Sequence, residues 1–116
     1  MEDPVTHQWI ELSRDDILSA IKRLRPERMG KRHLAKTLEM WLEGEEVIFG
    51  VEGAFTRRPA RGQWKGVVCV RFELMNSFLR VRPKTEAVRL SFDGQRLAIG
   101  TSRFAASWIE KSAWTP

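Results

Sequence analysis

Leu38, Met40, Leu42, Glu43, Gly44, Val47, Phe49 and Gly50 are matched fifty positions later by Val88, Leu90, Phe92, Asp93, Gly94, Leu97, Ile99 and Gly100. The match includes turn residues as well as apolar ones, so shared amphipathicity explains only part of it. Apolar residues alternate with polar ones on either side of Glu43-Gly44 and of Asp93-Gly94, which is the period of a half-buried strand folding back at a tight turn. Upstream, Ile17, Ala20 and Ile21 are matched fifty-eight positions later by Met75, Phe78 and Leu79. The difference of eight is absorbed by a longer basic loop after the first of these segments. A chain that repeats itself this way is built twice from one small unit.

Each unit reads strand, helix, strand, strand, strand. Residues 9–12 form a short strand, and Ser13 caps a helix whose first turn holds Asp15 and Asp16, where the helix dipole favours anions. Ile17, Ala20, Ile21 and Leu24 follow at i, i+3, i+4 and i+7, one face of an amphipathic helix. Pro26 ends it, because a proline disfavours helical geometry in the residue before it. Strands are expected over 37–42, 46–51 and 53–58, then a turn-rich connection over 59–66. A buried strand over 66–71 runs into a second helix over 72–81, with Met75, Phe78, Leu79 and Arg82 on one face and Pro83 closing it. The 88–92 and 96–99 hairpin follows, and a last strand over 103–109 alternates Phe104, Ala106 and Trp108. The fold class is α+β: two pseudo-symmetric β-α-β-β-β units whose antiparallel sheets carry both helices on one side.

At 116 residues there is room for one domain, spanning 1–116. Lys and Arg number 20 against 15 Asp and Glu, for a formal charge of +5 and a pI near 10.0, a balance that draws polyanions. The charge comes in blocks: residues 22–36 hold seven basic residues and one acidic, 37–55 five acidic and no basic, and 56–71 five basic and no acidic. Such blocks mark differently facing surfaces or accidents of loops. Cys69 is the only cysteine, so neither an internal disulfide nor a cysteine-based zinc site can form within the chain. An unpaired cysteine, an N-terminus without a signal-peptide layout and no apolar run of membrane-spanning length point to the cytoplasm, with no membrane partner.

The 70–83 segment, a strand entering a helix closed by proline, and the hairpin "VRLSFDGQRLAI" over 88–99 resemble one repeat of the DNA sliding clamp. That family is the ring-shaped processivity factor of replicative polymerases, and each of its repeats pairs two such units by pseudo-symmetry. The resemblance covers nearly the whole chain as a pattern. It implies helices that line a ring and present basic residues to DNA, here Arg14, Lys22 and Arg23 on the first helix and Arg80 on the second. Clamp rings contain six repeats over two or three chains, whereas this chain holds one. A ring would take six copies, or the fold serves something else. The partner-peptide sites of clamps depend on neighbouring repeats and are not carried over.

Catalysis finds little support. His7 and His33 have no partner at ligand spacing, Asp15 and Asp16 are explained by capping, and Glu45-Glu46 sits at a hairpin turn. No phosphate loop, nucleophile elbow or paired-histidine metal motif occurs, and no metal or cofactor is implied. Nucleic-acid binding finds more. Arg57, Arg58, Arg61 and Lys65 surround Phe55 and Trp64, a mixture of cations and aromatics of the kind that grips single strands. Alternatively, Trp64 anchors its loop to the core and the arginines are merely solvated. The basic loop with Arg25, Arg28, Lys31 and Arg32 is either a second contact or a solubilising segment. Self-association is a third expectation, since open sheets leave edges that pair unless protected. Trp108 reads as a core anchor, and Trp114 as a core or an interface residue.

These features favour a non-enzymatic clamp-like module that binds DNA or another polyanion nonspecifically, as a homo-oligomer formed through sheet edges. The competing reading is a protein-interaction or regulatory module that keeps the fold without touching DNA.

Overall fold

The computed structural model describes residues 8–25, 36–77, 84–99 and 102–110. The elements are β1 (Gln8–Ser13), α1 (Arg14–Leu24), β2 (Thr37–Glu43), β3 (Glu46–Val51), β4 (Ala54–Pro59) and β5 (Arg61–Gln63). They are followed in the same order by β6 (Gly66–Arg71), α2 (Phe72–Ser77), β7 (Ala87–Phe92), β8 (Arg96–Ile99), β9 (Ser102–Ala105) and β10 (Ser107–Glu110). The expected positions Phe78, Leu79, Arg82, Pro83 and Gly100, like Pro26, lie outside the described residues.

The strands form two antiparallel five-stranded sheets, ordered β5-β1-β7-β8-β9 and β10-β6-β2-β3-β4. Each sheet joins the outer strands of one unit to the three middle strands of the other. The two units therefore interlock, and the pseudo-twofold exchanges one sheet for the other. Register follows the same rule. Met40 pairs with Phe49 and Leu42 with Val47, and fifty positions on Leu90 pairs with Ile99 and Phe92 with Leu97. Likewise Ile10 opposes Leu90 on β7, while Val68 opposes Met40 on β2. Single backbone bonds repeat it too. The Arg14 amide donates to the Glu86 carbonyl at 2.6 Å and the Phe72 amide to the Lys36 carbonyl at 2.8 Å.

Alternation along each strand sends Ile10 and Leu12, Leu38 and Met40, Val47 and Phe49, Val68 and Val70, and Val88, Leu90 and Phe92 into one shared core. Helix α1 adds Ile17, Ala20, Ile21 and Leu24, all buried. Full burial of each large side chain of that face contributes about 1.5–3 kcal/mol. Ser13 caps the helix as expected, its Oγ accepting from the Asp16 amide at 3.0 Å. Helix α1 packs on β4, β3 and β1, and α2 packs on β6 and β2, so both touch the sheet that contains β2.

Two details differ from the expectation. The 59–66 connection contains β5, and the single strand over 103–109 is two strands broken at Ala106. At both places the chain leaves one sheet for the other. The Ala60 amide donates to the Glu45 carbonyl at 2.9 Å and the Ala106 amide to the Gln95 carbonyl at 3.1 Å, which fixes the two corners alike. Alternation runs through Ala106 uninterrupted because Phe104, Ala106 and Trp108 all pack on the same core.

The outward faces of the sheets are unlike. Trp41, Ile48 and Val67 make a second apolar cluster on one, with Cys69 and Ile109 beside it. Burial, with the nearby Glu39 carboxylate as a lesser cause, pushes the Cys69 thiol above its ordinary value. The corresponding positions of the other sheet, by the same register, are Ser91, Ala98, Trp9, Glu11 and Gln63.

Candidate nucleic-acid interface

The acidic first turn and basic last turn of α1 both suit its dipole. The residues away from the core are Asp15, Ser19, Lys22 and Arg23, with Arg25 at the C-cap donating its amide to the Lys22 carbonyl at 3.3 Å. Lys22, Arg23 and Arg25 are exposed and make no ion pair among the described residues. Arg14, at the other end of the helix, is part-buried, with its Nε 3.7 Å from Asp15 Oδ1.

The arginines of the 57–61 segment do not form one patch. Strand alternation sends Arg57 to the outward side of β4 and Arg58 to the helix side. Arg57 Nη1 lies 3.7 Å from Glu43 Oε2 and 3.6 Å from Glu46 Oε1. Arg58 braces α1 against β4, donating from Nε to Ser19 Oγ at 3.0 Å and from Nη1 to Thr56 Oγ1 at 2.5 Å. Arg61 belongs to the other sheet, where its Nη2 donates to Glu11 Oε1 at 2.5 Å. Arg89 Nη2 reaches Glu11 Oε2 at 3.5 Å and lays its guanidinium over Trp9, 4.3 Å from the ring centroid. The Arg61 hydrogen bond, helped by the charges of Arg61 and Arg89, holds the Glu11 carboxyl below the usual carboxylate range.

Trp64 is not a surface ring. It is 5 % exposed and packs on Trp108 with ring centroids 6.2 Å apart, while Trp108 stacks on Phe92 at 5.5 Å. This corrects its assignment as a base-stacking residue: a ring that fills the core has no face to offer a base. Phe55 is the exposed aromatic of the segment, at 47 %, set edge-on to Trp41 at 5.8 Å and lying across Gly50. Lys65 is exposed, and its amide donates to Gln8 Oε1 at 2.6 Å. Arg28, Lys31, Arg32 and Arg80, together with His7, His33 and Trp114, lie outside the described residues. Among those described, no group of three or more His, Cys, Asp or Glu is placed to hold a metal ion, and no helix is long and apolar enough to cross a membrane.

A cleft of about 620 Å³ opens at the junction of β1 and α1, walled by Glu45, by Pro59 to Arg61 and by Glu86 and Ala87. Sequence reasoning missed it, since its residues come from four separated stretches that no local motif unites.

No protein-family model and no curated protein sequence matches the chain. Solved structures do. A Caulobacter crescentus DNA polymerase III beta subunit superposes with a TM-score of 0.66 at 20 % identity, over 93 % of this chain and 31 % of its own. The Bartonella birtlesii sliding clamp gives 0.67 at 17 % identity over 95 % and 34 %. The Bacillus subtilis clamp gives 0.66 at 11 % identity over 95 % and 33 %. The chain thus spans about a third of the length of the clamps that it matches. With its pair of interlocked sheets and its two helices, this chain has the fold of one domain of a bacterial sliding clamp.

Proposed function

We propose that this chain is a non-enzymatic, clamp-like module that binds nucleic acid nonspecifically through its helical side and works in the cytoplasm as a homo-oligomer. In this reading residues 1–116 act as one domain, an internal duplication. The observation that carries it is the set of exposed cations at the C-terminal end of α1. Lys22, Arg23 and Arg25 have no acidic partner among the described residues, whereas Arg57 and Arg61 are held by carboxylates of their own sheets. The clamp-like fold supports the same side, and the sheet edges at β4, β5, β9 and β10 offer unpaired backbone for joining copies. Arg14 and Lys65 are further contacts in this reading, and so are Arg28, Lys31, Arg32 and Arg80. Arg58 serves by bracing α1.

Contact of these cations with phosphates releases condensed counterions, so affinity falls with salt. Each phosphate contact adds about −0.9 to the log-log salt slope on duplex DNA, so Lys22, Arg23 and Arg25 alone account for a slope of about −3. The test is anisotropy of a labelled duplex titrated at two salt concentrations, with light scattering for the assembly state. Folded protein that binds neither duplex nor single strand at low salt rejects the DNA role. A monomer at high micromolar concentration rejects the oligomer.

A further inference from the structure

We propose that the cleft at the β1–α1 junction is a docking site for a linear peptide segment bearing a lysine or arginine side chain. The pseudo-twofold supplies an internal control for what the fold itself requires. Glu45 and Glu86, which come from separate stretches of the chain, both line the cleft and make no ion pair among the described residues. Their carbonyls are used by the corner bonds to Ala60 and Arg14, which pins the backbone beneath each carboxylate. In the other unit the same two corner bonds come from Gln95 and Lys36. The architecture therefore needs the carbonyls and not the carboxylates, and the acidic walls are particular to this cleft.

The opening has the same kind of origin. By register Arg14 corresponds to Phe72, which is fully buried in the core, whereas Arg14 is only part-buried and lines the cleft with Ala60 and Ala87. At about 620 Å³ the cleft is the size of a small-ligand pocket, large enough for one or two side chains of an extended peptide. Leu12, Pro59, Ala60 and Ala87 form the apolar part of its lining. Of its charged residues, Arg61 is engaged with Glu11 and Arg14 lies against Asp15, which leaves the two wall carboxylates for a cation. The chain as a whole carries +5, so general attraction opposes a basic peptide and local complementarity has to supply the binding.

The experiment is an amide-shift titration of the whole chain with an acetylated, amidated hexapeptide alternating lysine and leucine. The matching glutamate–leucine peptide is the control. The expected result is saturable shifts at residues 11–15, 45, 60–61 and 86–87 with the lysine peptide alone. Glu45→Gln with Glu86→Lys, which copies the other unit, should weaken binding of the lysine peptide at least tenfold. Ala87→Leu should block the cleft without touching either carboxylate. Absence of binding, shifts confined to other surfaces, equal binding of the glutamate peptide, or unchanged affinity in the double variant each overturn the proposal.

Discussion

Arg57 and Arg58 are neighbours in the chain and lie on opposite faces of β4, one between Glu43 and Glu46 and the other against Ser19 of α1. The spacing of two charges along a strand thus decides which surface each can serve. Reversing Lys22, Arg23 and Arg25 to glutamate should lower duplex affinity at low salt by at least tenfold, since each phosphate contact is lost and replaced by repulsion. Arg57→Glu should change it less than threefold. Anisotropy at matched salt checks both, and an Arg57 effect as large as the triple reversal would remove the helical side from the interface.

Trp64 should matter for stability. Truncating a buried indole leaves a cavity and costs about 3–5 kcal/mol, so Trp64→Ala should lower the denaturation midpoint strongly. Its Nε1 has no acceptor among the described residues, so Trp64→Phe should be tolerated much better. Urea unfolding of the three proteins decides. A stable Trp64→Ala that loses single-strand binding would return this ring to the interface.

Glu11 makes stability depend on pH with a definite sign. Its carboxyl titrates lower in the folded chain than in the unfolded one, so the unfolded state takes up more protons on acidification. The contribution is full above the unfolded carboxylate value of about 4.3 and is lost as pH falls through the depressed folded value. Glu11→Gln should therefore melt lower than the parent near neutral pH, with the gap closing below about pH 4. Melting curves from pH 7 to pH 3 test this, and a constant gap would contradict it.

Gly62 sits where β5 comes against β1. A Cβ there would collide with the Trp9 carbonyl oxygen and lie 2.9 Å from Ile10 Cα. Gly62→Ala should destabilise by about 1–3 kcal/mol through backbone displacement. Faster hydrogen exchange at residues 61–63 should accompany the loss, and a variant as stable and as protected as the parent would show that β5 gives way freely.

Much of the fold was legible because its elements obey simple periods. The alternation at Leu38, Met40 and Leu42, the 3.6-residue stripe at Ile17, Ala20, Ile21 and Leu24, and the Ser13 cap needed no tertiary information. The corners at Ala60 and Ala106 were not legible. A strand that changes sheets while keeping one face on a shared core shows no break in its pattern, and the three residues of β5 are too few to display one. The candidate site was legible only where one element holds it, as with Lys22 and Arg23 on α1. Nearness in sequence misled at Arg57, Arg58 and Arg61, because alternation and the corner at Ala60 scatter three adjacent charges onto three surfaces. Trp64 could not be placed from its neighbours, since what buries it is Trp108, forty-four positions away.

Because each sheet borrows strands from both units, neither unit owns a complete one. A cut between Gln63 and Gly66 would leave two fragments, each with its own helix and hairpins, in which β1 has lost β7 and β6 has lost β2. The molecule must then assemble as one cooperative event, and the two pieces behave as complementing partners rather than as independent folding modules.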